Sequence, residues 1–212
     1  MKERGMIFNG EMVRAILDGR KTQTRRIMQD QPVLNGNFYE VFGAAWSKGM
    51  TSIPAVPGHS LSTRCPFGVV SDRIWVRETF QGPLFDYDLM DSYCKDSTPF
   101  EKPEFCVYKA DEVPAPEFYD ADGELHCRWR PSIHMPRWAS RITLEITSIR
   151  VERLRSMSQE DARAEGVIAA SGPMEAGLAF RELWDSIYGP ESWQANPWVW
   201  VIEFKRVEEV NQ

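Results

Sequence analysis

Apolar positions recur along the chain in two periods, and each predicts its own kind of element. Met12, Val13, Ile16 and Leu17 fall at helical spacing. Asn9 can accept from the free amides of the first turn, and Gly19 can take the left-handed conformation that closes a helix. From Ser71 to Phe80 the period drops to two: Ile74, Val76, Glu78 and Phe80 alternate with Trp75, Arg77 and Thr79, which predicts a strand. A shorter strand is expected over 105–110. Over 139–154, Ile142, Leu144 and Ile146 set one face before Ile149 and Val151 change phase, so one long strand or two joined at a bulge are both expected. A short helix follows, with Ser158 as N-cap, Glu160 and Asp161 in its first turn and Gly166 at its end. Leu178, Phe180, Leu183, Trp184 and Ile187 stripe a second helix over Glu175 to Tyr188, and Pro197 to Val207 reads as a buried final strand. The stretch 28–71, rich in Gly, Pro, Ser and Asn with scattered Phe38, Tyr39, Phe42 and Trp46, reads as a long loop with at most short strands. Strands outnumber helices and few helices lie between strands. The expected class is α+β, mainly β: a small bent β-barrel with flanking helices in a single domain.

Two places break this pattern. After Gly19 come Arg20, Lys21, Thr22, Gln23, Thr24, Arg25 and Arg26, a strand-compatible run with almost nothing apolar to bury. Such a strand either meets partners for its side chains or lies as a solvated edge with surface cations. In an ideal strand Thr22, Thr24 and Arg26 share one face and Lys21, Gln23 and Arg25 the other. The second break is Glu78, a carboxylate on an apolar face: either a site acid, or half of a buried structural ion pair. The segment Trp129 to Trp138 interleaves aromatic and cationic side chains between prolines, a composition suited to lining a pocket for a flat ring or to a loop packed by its tryptophans.

The chain has 212 residues, 42% hydrophobic and 26% charged, the make-up of an ordinary soluble globular protein. No apolar run approaches the roughly 20 residues of a membrane span and the first residues lack a signal peptide's apolar core, so no membrane partner and a cytoplasmic location are expected. The net charge of −6 is uneven: residues 1–27 carry seven Lys and Arg against three Asp and Glu, whereas 82–126 carry three against twelve. That balance excludes a protein that coats a long duplex and suits a small or single-stranded ligand at a local basic cleft. The acidic segment 82–126 reads as a solvated lobe, with docking to a host protein as the alternative. Cys65, Cys94, Cys106 and Cys127 form no CxxC pair and are expected as free thiols. His59 with Cys65, or His126 with Cys127 and His134, lacks zinc-site spacing, so no metal and no cofactor are expected. Phosphate-cradling glycine loops and a Ser-His-Asp order are absent from the sequence.

The segments ILDGRKTQTRR (Ile16 to Arg26), Ser71 to Glu78, Leu154 to Gly166 and WVIEFK (Trp200 to Lys205) together resemble the ASCH domains of the PUA-like β-barrel superfamily. With the added stretch Arg128 to Ile146, the chain is similar to the long ASCH-domain proteins of bacteriophages and enterobacterial prophages. About 28–70 and 81–127 would then be insertions. At the motif the resemblance is to small bacterial N4-acetylcytidine amidohydrolases, which cleave the acetyl amide on the exocyclic nitrogen of cytidine. It implies Lys21, Thr24 and Glu165 as catalytic residues: Thr24 attacks the acetyl carbonyl, Lys21 takes its proton, and Glu165 positions or protonates the departing amine. For that, the Lys21 pKa has to fall from roughly 10.4 toward neutrality, which costs about 4 kcal/mol. Arg20 and Arg26 would bind substrate, with Glu78, Trp75 and Trp138 as further candidates. The implied ligand is a nucleoside or base; two other readings are an RNA- or nucleobase-binding module and a phage accessory protein that docks on a host protein.

Overall fold

The computed structural model describes residues 1–42, 50–54, 62, 65–120, 122–168 and 175–207. In chain order they form β1 (Glu3–Ile7), α1 (Gly10–Leu17), β2 (Gln23–Ile27), β3 (Val33–Asn35), β4 (Phe38–Phe42), β5 (Met50–Pro54), β6 (Arg73–Arg77), β7 (Phe80–Gln81), α2 (Met90–Lys95), β8 (Val107–Tyr108), β9 (Glu117–Tyr119), β10 (Leu125–Cys127), β11 (Thr143–Arg153), α3 (Gln159–Ala164), α4 (Glu175–Tyr188), α5 (Pro190–Ala195) and β12 (Trp198–Val207). The fold is α+β and mainly β. A five-stranded sheet runs β1-β6-β11-β12-β2, with smaller sheets β3-β4-β5, β7-β8 and β9-β10. The large sheet is mixed. The amide of Arg73 donates to Lys2 O and that of Phe8 to Arg77 O, so β1 and β6 run parallel, while β12 and β2 pair antiparallel from Val199↔Ile27 to Glu203↔Gln23.

The residues gather into two compact units. Among the described residues the first holds Met1–Lys2, Asp18–Arg73 and Glu145–Lys205; the second holds Glu3–Leu17, Ile74–Leu144 and 206–207. In the first unit α4 lays Ala176, Phe180 and Trp184 against Leu154, Ala162, Val199 and Val201, all buried. Burying several large side chains at about 1.5–3 kcal/mol each supplies most of the driving force here. In the second, Phe80, Tyr108, Met135 and Ala139 close a smaller core, with Trp138 packed at its margin.

Several local expectations are met. The amide of Met12 donates to Asn9 Oδ1 at 2.8 Å, Gly19 has φ +74°, and Ser158 makes a reciprocal capping box with Asp161. β11 is one strand, and its buried positions shift from Leu144 and Ile146 to Val151, the phase change seen in the sequence. Others are corrected. The strand expected over 105–110 shortens to two residues, because Lys109–Asp111 coils into a 3₁₀ turn that buries Ala110. The strand expected from Ala139 begins only at Thr143, since Arg137–Ala139 forms another such turn and the Ser140 hydroxyl donates to Val76 O. Part of the 28–71 stretch is the meander β3-β4-β5, while Trp46 and His59 lie outside the described residues.

Candidate functional site

The basic run after Gly19 is not a solvated edge. β2 does end the sheet, yet Lys21, Gln23, Thr24 and Arg25 are each 3% exposed or less. The covering element is the C-terminal end of α3. Lys21 forms an antiparallel bridge with Glu165, and the Thr22 amide donates to Ala164 O at 2.8 Å. Arg20 fastens the approach: its guanidinium donates to Gly166 O at 2.6 Å and to Asp18 at 2.8 Å. The Ser158 capping box fixes where α3 starts, and Gly166, at φ +87°, turns the chain away just after Glu165. Both ends of the helix are thus set by local sequence, and between them Glu165 is delivered to Lys21.

Lys21 Nζ donates to the Glu165 carboxylate at 2.8 Å and to Glu165 O at 2.9 Å, with both side chains essentially inaccessible. The other Glu165 oxygen accepts from Arg25 at 3.1 Å, and Arg25 also reaches Glu152 at 2.6 Å and Asp161 at 3.5 Å. Gln23 donates to Asp161 O at 2.6 Å, and Arg150 bridges Asp161, Glu152 and Glu203. The guanidinium of Arg25 lies 5.9 Å from the Phe180 ring centre, which ties the network to the core beneath it. Lys21, Gln23 and Arg25 therefore act as one strand face, all directed at α3.

The electrostatics follow from this burial. Desolvation pushes the Lys21 ammonium down from its ordinary value, Glu165 opposes the fall, and the nearby charges of Arg26 and Arg25 add to it; the net direction is down. Burial pushes the Asp161 carboxyl up, but the Ser158 amide and hydroxyl, Arg25 and Gln23 outweigh it and hold it at about 2. Beside the network a cleft of about 250 Å³ is lined by Thr22, Gln23 and Ala164, the chain neighbours of Lys21, Thr24 and Glu165. Glu160, Asp161, Glu203 and Thr147 supply the rest of its polar wall.

Of the residues singled out in the sequence, Lys21 and Glu165 are brought into direct contact. Thr24 is buried in β2 opposite Ile202, and strand alternation turns it to the other face from Gln23 and Arg25. Arg26 sits opposite Trp200, half-buried on that same alternate face. Arg20 is spent on Asp18 and Gly166. Glu78, Trp75 and Trp138 belong to the second unit. There Glu78, 1% exposed, receives a two-pronged ion pair from Arg141 at 3.0 and 3.1 Å, and Arg141 continues to Asp111 at 2.7 Å. Burial pushes the Glu78 carboxyl up, and the Arg141 pairing does not fully reverse it. Trp75 is capped by Arg77 at 5.4 Å and lies over Gly5, where an added Cβ would come within 2.6 Å of its ring. His126 bonds to Asp120 at 2.7 Å and the Cys127 thiol to Ala115 O at 3.5 Å.

Sequence reasoning gave no site role to Glu152 or Arg150, read Asp161 only as a first-turn acid of α3, and offered Arg25 as a cation near Lys21 or a phosphate contact. The signal available was that Lys21, Gln23 and Arg25 share a strand face, so a carboxylate taking one is placed to take the others. No protein-family model, curated protein or solved structure matches the chain. Among the described residues no helix is long and apolar enough to cross a membrane.

Proposed function

We propose that this chain is an amidohydrolase, on an ASCH-type PUA-like scaffold, that removes an acyl group from the exocyclic amine of a modified nucleoside or base such as N4-acetylcytidine. The observation that carries the proposal is the buried Lys21–Glu165 pair at 2.8 Å, in which desolvation lowers the lysine pKa. A lysine serves as a proton acceptor near neutrality only in such surroundings.

Thr24, on the other face of β2, is not placed to pass a proton to Lys21. In the proposed reaction Lys21 therefore opens to the adjoining cleft and, in its neutral form, takes the proton of a water that attacks the acyl carbon. Collapse of the tetrahedral adduct breaks the C–N bond, and the amine leaves with a proton returned by Lys21, which Glu165 keeps oriented. The acyl group leaves as the carboxylic acid. The carboxylates in the cleft wall favour a neutral nucleoside or free base over a phosphorylated chain. A module that grips RNA phosphates would instead keep its cations accessible, whereas Lys21 and Arg25 are buried in ion pairs.

The test is acetate release from N4-acetylcytidine, with chromatography of the nucleoside, on wild type, Lys21→Ala and Thr24→Ala. Turnover in the wild type, its loss by a hundredfold or more in Lys21→Ala, and a change of less than about tenfold in Thr24→Ala are expected for a lysine base acting on water. Folded wild type that releases no acetate from this substrate at high enzyme concentration overturns the proposal.

A further inference from the structure

The second unit contains a cavity of about 550 Å³ that plays no part in the chemistry above, and its volume falls in the range of small-molecule sites. We infer that this cavity is a binding site for a flat heteroaromatic ligand that carries an N–H donor on one edge and a negative charge on another, the chemistry of a nucleoside monophosphate.

The walls are aromatic and fixed in place. Phe85 and Tyr93 stack with ring centres 4.9 Å apart, and both pack on Phe100, at 4.6 and 5.7 Å. Phe118 and Trp129 line the cavity as well. The floor is held by backbone: the amide of Arg130 donates to Phe80 O at 2.8 Å, that of Phe80 to Arg130 O at 3.2 Å, and β7 pairs with β8 on its other edge. Walls built this way offer ring faces without having to order themselves when a ligand arrives.

The N–H requirement comes from Gln81. Phe80 turns into the core, so strand alternation sends Gln81 the other way, to the cavity wall. Gln81 is 5% exposed, and its carboxamide oxygen, itself closed to solvent, has no hydrogen-bond partner among the described residues. A buried acceptor left without a donor costs about 1–3 kcal/mol, and a ligand N–H that meets it after a turn of the Gln81 carboxamide toward the cavity would recover it.

The charge requirement comes from Arg128 and Arg130. Arg130 donates to Gly82 O and lies 5.3 Å over the Phe80 ring, while Arg128 is exposed, 5.9 Å over Phe118, and makes no ion pair among the described residues. The one lining carboxylate, Asp120, is already occupied: it accepts from His126 and from the amides of Asp122 and Glu124. Two guanidiniums therefore face the cavity against one internally satisfied acid, inside a segment that is otherwise strongly acidic. The Trp129–Arg130–Pro131 stretch, whose composition suits a flat ring, supplies one side of this wall.

The experiment is calorimetric titration of the full chain with AMP, GMP, CMP and UMP, alongside Arg128→Ala and Gln81→Leu. Arg128 is exposed, so its truncation leaves the fold intact; Gln81→Leu keeps the volume and removes the acceptor. Saturable binding of at least one nucleotide is expected, weakened about tenfold by Arg128→Ala and about fivefold by Gln81→Leu. The thiol of Cys94, exposed at the cavity rim, should also react more slowly with a maleimide when that nucleotide is present. No saturable binding of any of the four at millimolar concentration, or affinity unchanged in either variant, overturns the inference.

Discussion

Replacing Glu165 with glutamine tests the centre of the proposed site most directly. The change keeps the shape of the side chain and removes one charge, yet that charge serves two buried cations, Lys21 at 2.8 Å and Arg25 at 3.1 Å. Lys21 then has no other carboxylate within ion-pair distance among the described residues, whereas Arg25 keeps Glu152 and Asp161. Removing one partner of a buried pair costs about 3–5 kcal/mol, because the remaining charge stays desolvated without compensation. For a chain of this length each kcal/mol moves the thermal midpoint by roughly 2–4 °C, so a drop of about 6–20 °C is expected. Lys21→Met leaves Glu165 paired with Arg25 and should be the milder change. The two also differ in pH response. With Glu165 neutral, only hydrogen bonds to the backbone carbonyl and the new amide oxygen at position 165 still offset the desolvation of Lys21, so its folded-state pKa falls further below the unfolded value of 10.5. The unfolded chain then binds the extra proton, and stability must rise as pH climbs toward 10.5. Denaturant unfolding of wild type, Glu165→Gln and Lys21→Met at pH 7 and pH 9 checks both statements. Glu165→Gln within 0.5 kcal/mol of wild type, roughly the effect of an ordinary surface change, would refute the buried-pair argument. So would Lys21→Met being the more damaging variant.

Further outcomes follow from the other ionised groups. Arg141→Met strands Glu78 in the second unit; its raised carboxyl pKa rises further, so the folded state holds a proton that the unfolded chain releases above about 4.5. The variant should lose a few kcal/mol at pH 8 and much less at pH 5, as read by urea midpoints, and equal losses at the two pH values would contradict this. Ser158→Ala removes the α3 cap and one of the bonds that hold Asp161 at about 2. It should lower stability by about 1 kcal/mol at neutral pH. The same variant should show a smaller stability loss than wild type between pH 4 and pH 2, because the depressed carboxyl contributes stability that is present above 3.8 and lost as pH falls toward 2. An acid-unfolding profile identical to wild type would mean that the cap does not set the Asp161 pKa.

Much of the local structure was written in the sequence. Asn9 and Gly19 bound α1, Ser158 and Gly166 bound α3, and the α4 stripe and the phase change inside β11 were all readable, because caps, turns and periodicity act between residues a few positions apart. The contents of the polar run were readable too, including which of its side chains share a face. What the sequence could not decide was whether that face meets solvent or protein. Lys21 and Glu165 are 144 residues apart, and no local rule says which carboxylate a lysine will find. Glu78 posed the same question in the second unit, and Arg141, 63 residues on, answered it. The acidic segment shows the limit from the other side: its charge suggested a solvated lobe, while folding gathers several of its aromatic residues around a cavity. Short-range propensity fixes the elements; long-range packing alone decides which polar groups lose their water, and that loss is what turns a basic strand into a candidate site.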